Sequence, residues 1–250
     1  MIPLRLIISC TVILSFVSMD CIAQEQPSEN KAAPKKPVPE AWSFTADPQL
    51  PNVLILGDSI SIGYTLQVRK LLAGKANVYR PLNGEGTQAE NCAGTTKGVA
   101  QIDKWLGSTK WSVIHFNFGL HDMKHVKKPG TAENSQDPAD PKQADLPQYE
   151  VNLEKIVEKI SATNAKLIFA TTTPVPEGYS KLRDITDPPL YNEVALKVMK
   201  SHSIEVNDLA SLVAADLPKY QIPKDVHFRN EGSQALAERV ADAIEKALQK

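Results

Sequence analysis

Apolar runs recur along the chain at intervals that suit alternating strands and helices. Val53-Leu54-Ile55-Leu56 has four apolar residues with no polar alternation, the pattern of a strand buried on both faces, as in a parallel sheet. Further strands are expected at Asn77–Pro81, Val113–Phe118, Lys166–Thr171 and Ile204–Val206. Between them lie stretches with helical spacing: Ser61–Leu72; Val99–Leu106, with Ile102, Trp105 and Leu106 on one side; and a strongly amphipathic segment carrying Tyr149, Leu153, Ile156, Val157 and Ile160. Pro189–Ser201 and Leu209–Ala215 follow, and a last helix from near Asn230 carries Leu236, Val240, Ile244 and Leu248 at four-residue steps. Strand and helix alternate throughout without an internal repeat. The expected fold is a three-layer α/β/α sandwich, a five-stranded parallel sheet in the flavodoxin-like order 2-1-3-4-5.

The segments that break this pattern are informative too. Residues 1–23 have the pattern of a secretory signal: Arg5, an apolar run from Leu6 to Val17, and Cys21-Ile22-Ala23 as a small-residue cleavage site. A lipoprotein signal at Cys21 is the alternative, though Ser18-Met19-Asp20 suits it poorly. The run is too short for a comfortable membrane span, so the mature protein is expected to have none. Residues 24–41 are rich in Pro, Lys, Glu, Asn and Ala and read as a disordered linker, leaving 42–250 as one domain that Trp42 and Phe44 open by packing on its edge. Lys127 to Gln148 is too polar for a core and follows the third strand, where a long loop can border a binding site.

Composition narrows the partners. Of the chain's 250 residues, the charged ones sum to a net charge of −1, which leaves no electrostatic footprint for nucleic acid or an anionic membrane surface. Cleavage after Ala23 leaves Cys92 as the only cysteine, so no intrachain disulfide can form, and Cys92 is expected to be a partly buried small residue.

The candidate chemistry gathers on the carboxyl edge of the expected sheet, where open α/β folds bind ligands. Ser59 follows the first strand and precedes a helix whose first amides are free to hold an anion, although the stretch from Val53 to Ile60 taken alone fits a helix-capping turn better. Gly94 lies beyond the second strand, Gly119-Leu120-His121-Asp122 ends the third, and Asp225-Val226-His227 precedes the last helix. Acyl transfer needs a nucleophile, a base and donors for the developing oxyanion, and all three types occur here.

These motifs, in this order from about Asn52 to the C-terminus, resemble the SGNH hydrolases, the GDSL-type esterases and lipases. The resemblance implies Ser59 as nucleophile, His227 as base and Asp225 as its orienting carboxylate, with the amides of Ser59 and Gly94 and the side chain of His121 as oxyanion hole and Asp58 and Asp122 in support. Two positions depart from the family pattern. His121 stands where Gly-x-Asn-Asp has its asparagine, and one residue rather than two separates Asp225 from His227, so a backbone carbonyl could orient the imidazole instead. Gly84 or Gly86 could replace Gly94 as the donor, His115 is expected to be a satisfied core histidine, and His202 is expected on a helix surface.

The resulting expectation is an exported serine ester hydrolase that needs no cofactor or metal. It would act on a small-molecule or polysaccharide ester, with short-acyl esters of carbohydrates favoured by the polar loop and by exported relatives. Three alternatives remain open: a lysophospholipase or thioesterase using the same machinery, a metal-dependent hydrolase gripping its ion with His121 and His125 four apart on a helix, and a non-catalytic carbohydrate-binding relative. The oligomeric state is left open.

Overall fold

The computed structural model describes residues 41–249, so the expected leader and the linker up to residue 40 lie outside the described residues. The strands are β1 (Asn52–Leu56), β2 (Asn77–Tyr79), β3 (Val113–Phe116), β4 (Lys166–Ala170) and β5 (Glu205–Asn207). They form one parallel sheet in the order β2-β1-β3-β4-β5. The helices are α1 (Ser59–Leu71), α2 (Thr95–Leu106), α3 (Leu146–Ser161), α4 (Asp187–Ser201), α5 (Leu209–Ala214), α6 (Leu217–Tyr220) and α7 (Asn230–Gln249). Among the described residues, no helix is long and apolar enough to cross a membrane.

The unbroken apolar strands are explained by burial on both faces. In β1, Leu54 and Leu56 point into a core completed by Ile102, Trp105, Leu153 and Ile156 of α2 and α3, with Val198 of α4. The intervening Val53 and Ile55 enter a second core with Val68 of α1 and Leu236, Val240 and Ile244 of α7. Because successive side chains alternate between faces, a sheet covered by helices on both sides makes its central strands largely apolar, with His115 of β3 a buried polar exception.

Strand register fixes where the loops emerge. Leu56 pairs with Phe116, and Phe116 with Phe169, so the central strands end level with one another. Gly57 leaves β1 at φ +153, and a side chain there would meet Ser61 Oγ at 2.8 Å. The chain can therefore turn into α1 at once, and the helix begins at Ser59, two residues earlier than expected.

The excursion after β3 is more ordered than its polarity suggests. Its ends are joined by bridges between His125 and Lys142 and between Val126 and Asn134, and Ser135, Gln143 and Ala144 are buried. Its charges pair largely among themselves and with the start of α4: Lys142 Nζ reaches Asp187 at 2.6 Å and also Asp184, and Lys127 reaches Asp140 at 2.7 Å. At the N-terminal edge, Phe44 meets the Tyr79 ring edge-on at 4.9 Å beneath the Arg69 guanidinium.

Candidate active site

Each site residue sits where the fold leaves polar backbone groups free. Asp58 caps α1, accepting the Ile60 N–H at 2.9 Å, and Ser59 is the first helical residue. Its own N–H belongs to the helix's first turn, which has no intrahelical acceptor. Ser59 Oγ lies 2.9 Å from Nε2 of His227, although 168 residues separate them.

The short spacing between Asp225 and His227 closes a compact unit. Asp225 Oδ1 accepts from His227 Nδ1 at 2.7 Å and from the His227 backbone N–H at 3.0 Å. A two-residue separation lets one carboxylate oxygen serve both groups, so the carboxylate, not a backbone carbonyl, orients this ring. With the proton held on Nδ1, the Nε2 lone pair faces the serine hydroxyl; this tautomer follows from the hydrogen-bond network. Burial opposes the charge on Asp225, but the N–H and ring of His227 and the Val226 N–H outweigh it, holding the carboxyl below its ordinary value. Both side chains remain nearly half exposed.

Gly94 is the N-cap of α2, and the Cys92 N–H donating to Gly57 O at 3.1 Å ties its loop to the end of β1. Asp122 packs against it: its carboxyl accepts the Thr95 N–H at 2.8 Å and the Thr95 hydroxyl at 2.5 Å. That carboxylate is wholly buried, its Oδ2 has no partner, and burial raises it to about 7 against the opposing Thr95 donors. Asp122 thus supports the α2 terminus that presents the Gly94 amide. Gly84 and Gly86 lie instead in a turn closed by Gly86 N–H to Asn83 O and by the Leu82–Ala89 bridge.

His121 follows the glycine turn after β3, with a buried, unpartnered Nδ1. Burial, reinforced by Arg183, Lys124 and Lys97, outweighs Asp58 and pushes its ring down to about 4, so the imidazole is neutral at neutral pH. The expectation that His121 and His125 share a helical face is not met. Residues 121–124 form turns and bends, and His125 turns away to donate from Nδ1 to Asp140 O at 2.7 Å, its Nε2 lying 3.0 Å from Lys142 Nζ. After Gly119 the chain passes through turns rather than a helix, and His125 bridges to Lys142 across the excursion.

The other histidines and the cysteine are structural. His115 is buried in β3 and bonded on one side only, Nε2 to the Asn207 amide at 3.2 Å; its Nδ1 is unpartnered, and burial lowers it to about 3. His202 caps α4 and meets Glu154 at 2.6 Å. Cys92 is fully rather than partly buried, and burial pushes its thiol up.

Three basic residues carry no signal in the sequence pattern. Arg80, just past β2, is buried, and its guanidinium donates to the carbonyls of Gly57, Asp58 and Glu90 and to Ser61 Oγ, clamping the loop that carries Ser59. Arg183 Nε donates to the carbonyl of Leu120, the residue before His121. Lys124 follows His121 by three residues and is likewise buried. Both arginines bind backbone carbonyls, which no side-chain pattern reveals.

The model of the GDSL-like lipase/acylhydrolase family matches residues 55–235, a span holding every group above. The chain belongs to that family. It is accordingly a carboxylic ester hydrolase of the SGNH type. Among solved structures it is similar to an acetyl xylan esterase, AlAXEase, at 15% identity and a TM-score of 0.60 over 77% of this chain and 99% of that one. A lipase/acylhydrolase from Enterococcus faecalis has 18% identity and a TM-score of 0.62 over 78% and 96% of the two chains. A carbohydrate esterase family 3 protein from Talaromyces cellulolyticus has 15% identity and a TM-score of 0.58 over 80% and 98%. At these identities the likeness establishes the shared fold. No curated protein matches the sequence.

Proposed function

We propose that this protein is an exported serine esterase that removes short acyl groups, acetyl foremost, from carbohydrates through an acyl-enzyme. The observation that carries the reading is the hydrogen-bonded series from Ser59 Oγ through His227 to Asp225. In the first step His227 Nε2 takes the hydroxyl proton as Ser59 Oγ attacks the ester carbonyl. The amides of Ser59 and Gly94 and the His121 ring donate to the oxyanion; a neutral imidazole supplies one N–H, as an asparagine amide would. His227 then protonates the departing alcohol, and water activated by the same ring releases the acid. Because His227 must be neutral to begin, turnover falls on acidification.

The substrate class rests on the character of the surroundings. The triad is open to solvent, and the excursion borders a cavity of about 450 Å³ lined by Thr96 of α2, by Pro129, Lys142 and Gln143, and by Gln148 and Asn152 of α3, with no triad residue in its wall. A polar, open rim suits a sugar better than a long acyl chain, and similar folds include an acetyl xylan esterase and a carbohydrate esterase. Export rests on residues 1–23, and a mature chain beginning at Gln24 in the periplasmic or secreted fraction is the expected product.

The test is hydrolysis of chromogenic esters of increasing acyl length by the wild type, by Ser59→Ala and by chelator-treated enzyme. The expected result is fastest turnover on acetate, loss in the variant and indifference to chelator. Preference for long acyl chains would shift the reading to a lipase or lysophospholipase, and unchanged turnover in Ser59→Ala would end the serine mechanism.

A further inference from the structure

Two buried cations beside the proposed site lack a counter-charge in contact. Lys124 and Arg183 are each 7% exposed. They are brought together by a pair of hydrogen bonds between their loops, Arg183 Nε to Leu120 O and the His125 N–H to Leu182 O at 2.8 Å. Arg183 uses Nη1 on the Tyr179 hydroxyl at 2.7 Å and has the Tyr179 ring 5.6 Å below it. Among the described residues, Nη2 of Arg183 and Nζ of Lys124 make no hydrogen bond or ion pair. Neither nitrogen is among the sealed, unsatisfied polar atoms, so both still reach solvent.

Arg80, the other buried arginine or lysine among the described residues, is satisfied by the carbonyls of Gly57, Asp58 and Glu90. Two desolvated like charges held together without a carboxylate in contact oppose folding, and such an arrangement is most economically explained by a ligand that supplies the missing charge. Burial, reinforced by Arg183 and opposed by Asp122, depresses the affinity of Lys124 for its proton, and burial does the same at Arg183 against the more distant charges of Asp58 and Asp225. The site's place in the fold identifies the ligand as substrate. Arg183 is bound to the residue before His121, and its charge is felt by Asp58 and Asp225, the neighbours of Ser59 and His227.

We infer that Lys124 and Arg183 bind an anionic substituent, carboxylate or sulfate, on the sugar whose ester this enzyme cleaves. The inference rests on the carbohydrate esterase reading and adds a charge requirement to it. The planar guanidinium and the ammonium would contact the anion from two directions, each by a charge-assisted hydrogen bond.

The experiment compares kcat/KM for a mono-acetylated methyl glucuronoside, its 6-sulfated glucoside counterpart and the uncharged acetylated glucoside, in the wild type, Lys124→Gln and Arg183→Gln. The wild type is expected to favour at least one charged ester by about tenfold or more, and each variant to shrink that ratio by about tenfold. The ratio is the readout because Arg183 also holds the Leu120 carbonyl, and a purely structural loss would lower all three substrates together. Which charged ester is preferred separates carboxylate from sulfate. Equal turnover of all three esters, or a preference that survives both variants, would overturn the inference. If no ester is cleaved, calorimetric titration of the wild type with methyl glucuronoside and methyl glucoside 6-sulfate decides it independently. Binding of either anion that weakens in Lys124→Gln upholds the anion site while the hydrolase reading falls, and no binding overturns it. If a variant does not fold, the wild-type preference and its weakening by added salt decide the matter.

Discussion

The Gly94→Ala substitution isolates the oxyanion donor from the rest of the machinery. A Cβ built on Gly94 falls 2.9 Å from Cγ, Oδ1 and Oδ2 of Asp122 alike. Ordinary carbon contacts lie near 3.5–4.0 Å, so something must yield by roughly 0.5–1 Å. The carboxylate is poorly placed to yield, being buried and held by the amide and hydroxyl of Thr95. The loop from Cys92 to Gly94 therefore moves, and the Gly94 amide moves with it. Overpacking of this kind costs about 1–3 kcal/mol, which for a domain of this size lowers Tm by roughly 2–12 °C. Displacing one oxyanion donor costs about 10²–10³ in kcat. Steady-state kinetics on a chromogenic acetate should show kcat reduced by about 10² with KM little changed. Pairing the change with Asp122→Ser removes the obstruction, and kcat should partly recover despite the second substitution. A folded Gly94→Ala enzyme with wild-type kcat would refute the role of this amide.

The remaining expectations concern the groups around the nucleophile. Arg80→Met strips donors from the carbonyls of Gly57, Asp58 and Glu90, and should cost ~3 kcal/mol or more in thermal unfolding and lower kcat; Lys should not restore either, since a point charge cannot span three acceptors. His121→Ala should lower kcat by about 10², whereas His121→Asn should stay within about tenfold of the wild type. The acid limb of the pH–rate profile should be the same in His121→Asn and in the wild type, because the His121 ring, held down at about 4, stays neutral where His227 is active. Asp122 keeps its proton up to about 7 in the folded state, so the stability it contributes is full below the ordinary carboxylate range and is lost as pH rises through 7. The unfolding free energy of the wild type, followed by denaturant titration, should accordingly decline relative to Asp122→Asn between pH 4 and 8 by at most on the order of 4 kcal/mol, and parallel curves would count against a buried protonated carboxyl.

The sheet was legible because its strands are buried on both faces, so that runs such as Val53–Leu56 stand out as unbroken apolar segments. The proximity of Ser59, His227 and Asp225 was legible for a related reason: a parallel sheet sends its strand-exit loops to one edge, where residues distant in sequence can meet. What the pattern hid is of two kinds. The start of α1 at Ser59 and the single turn of α6 depend on capping by Asp58 and Asp216, which hydrophobic spacing does not register. The excursion after β3 passed for a solvent loop because its charges could not be paired in advance with Asp184 and Asp187, some forty residues on. The helical reading of His121 and His125 failed because His125 pairs across the excursion with Lys142, a bridge that residue spacing does not register.

An open active site poses a mechanical problem, since oxyanion donors must hold their places without the enclosure that rigidifies a deep pocket. In this protein each proposed donor loop is secured from beneath by a buried ionisable side chain. Arg80 grips the carbonyls on either side of the turn into Ser59, Asp122 grips the helix terminus behind Gly94, and Arg183 grips the carbonyl preceding His121. Charge-assisted bonds to backbone are stronger and more directional than apolar packing, so they fix loop position where little surface is available to bury. On the proposed assignment of His121 to the oxyanion hole, the arrangement accounts for a histidine there: Arg183 holds the backbone at Leu120 while burial, helped by the charges of Arg183 and Lys124, keeps the His121 imidazole neutral. If that reasoning holds, Arg183→Gln should impair a His121 enzyme more than a His121→Asn enzyme. The asparagine enzyme would lose only loop position, whereas the histidine enzyme would also lose a charge that keeps its ring unprotonated.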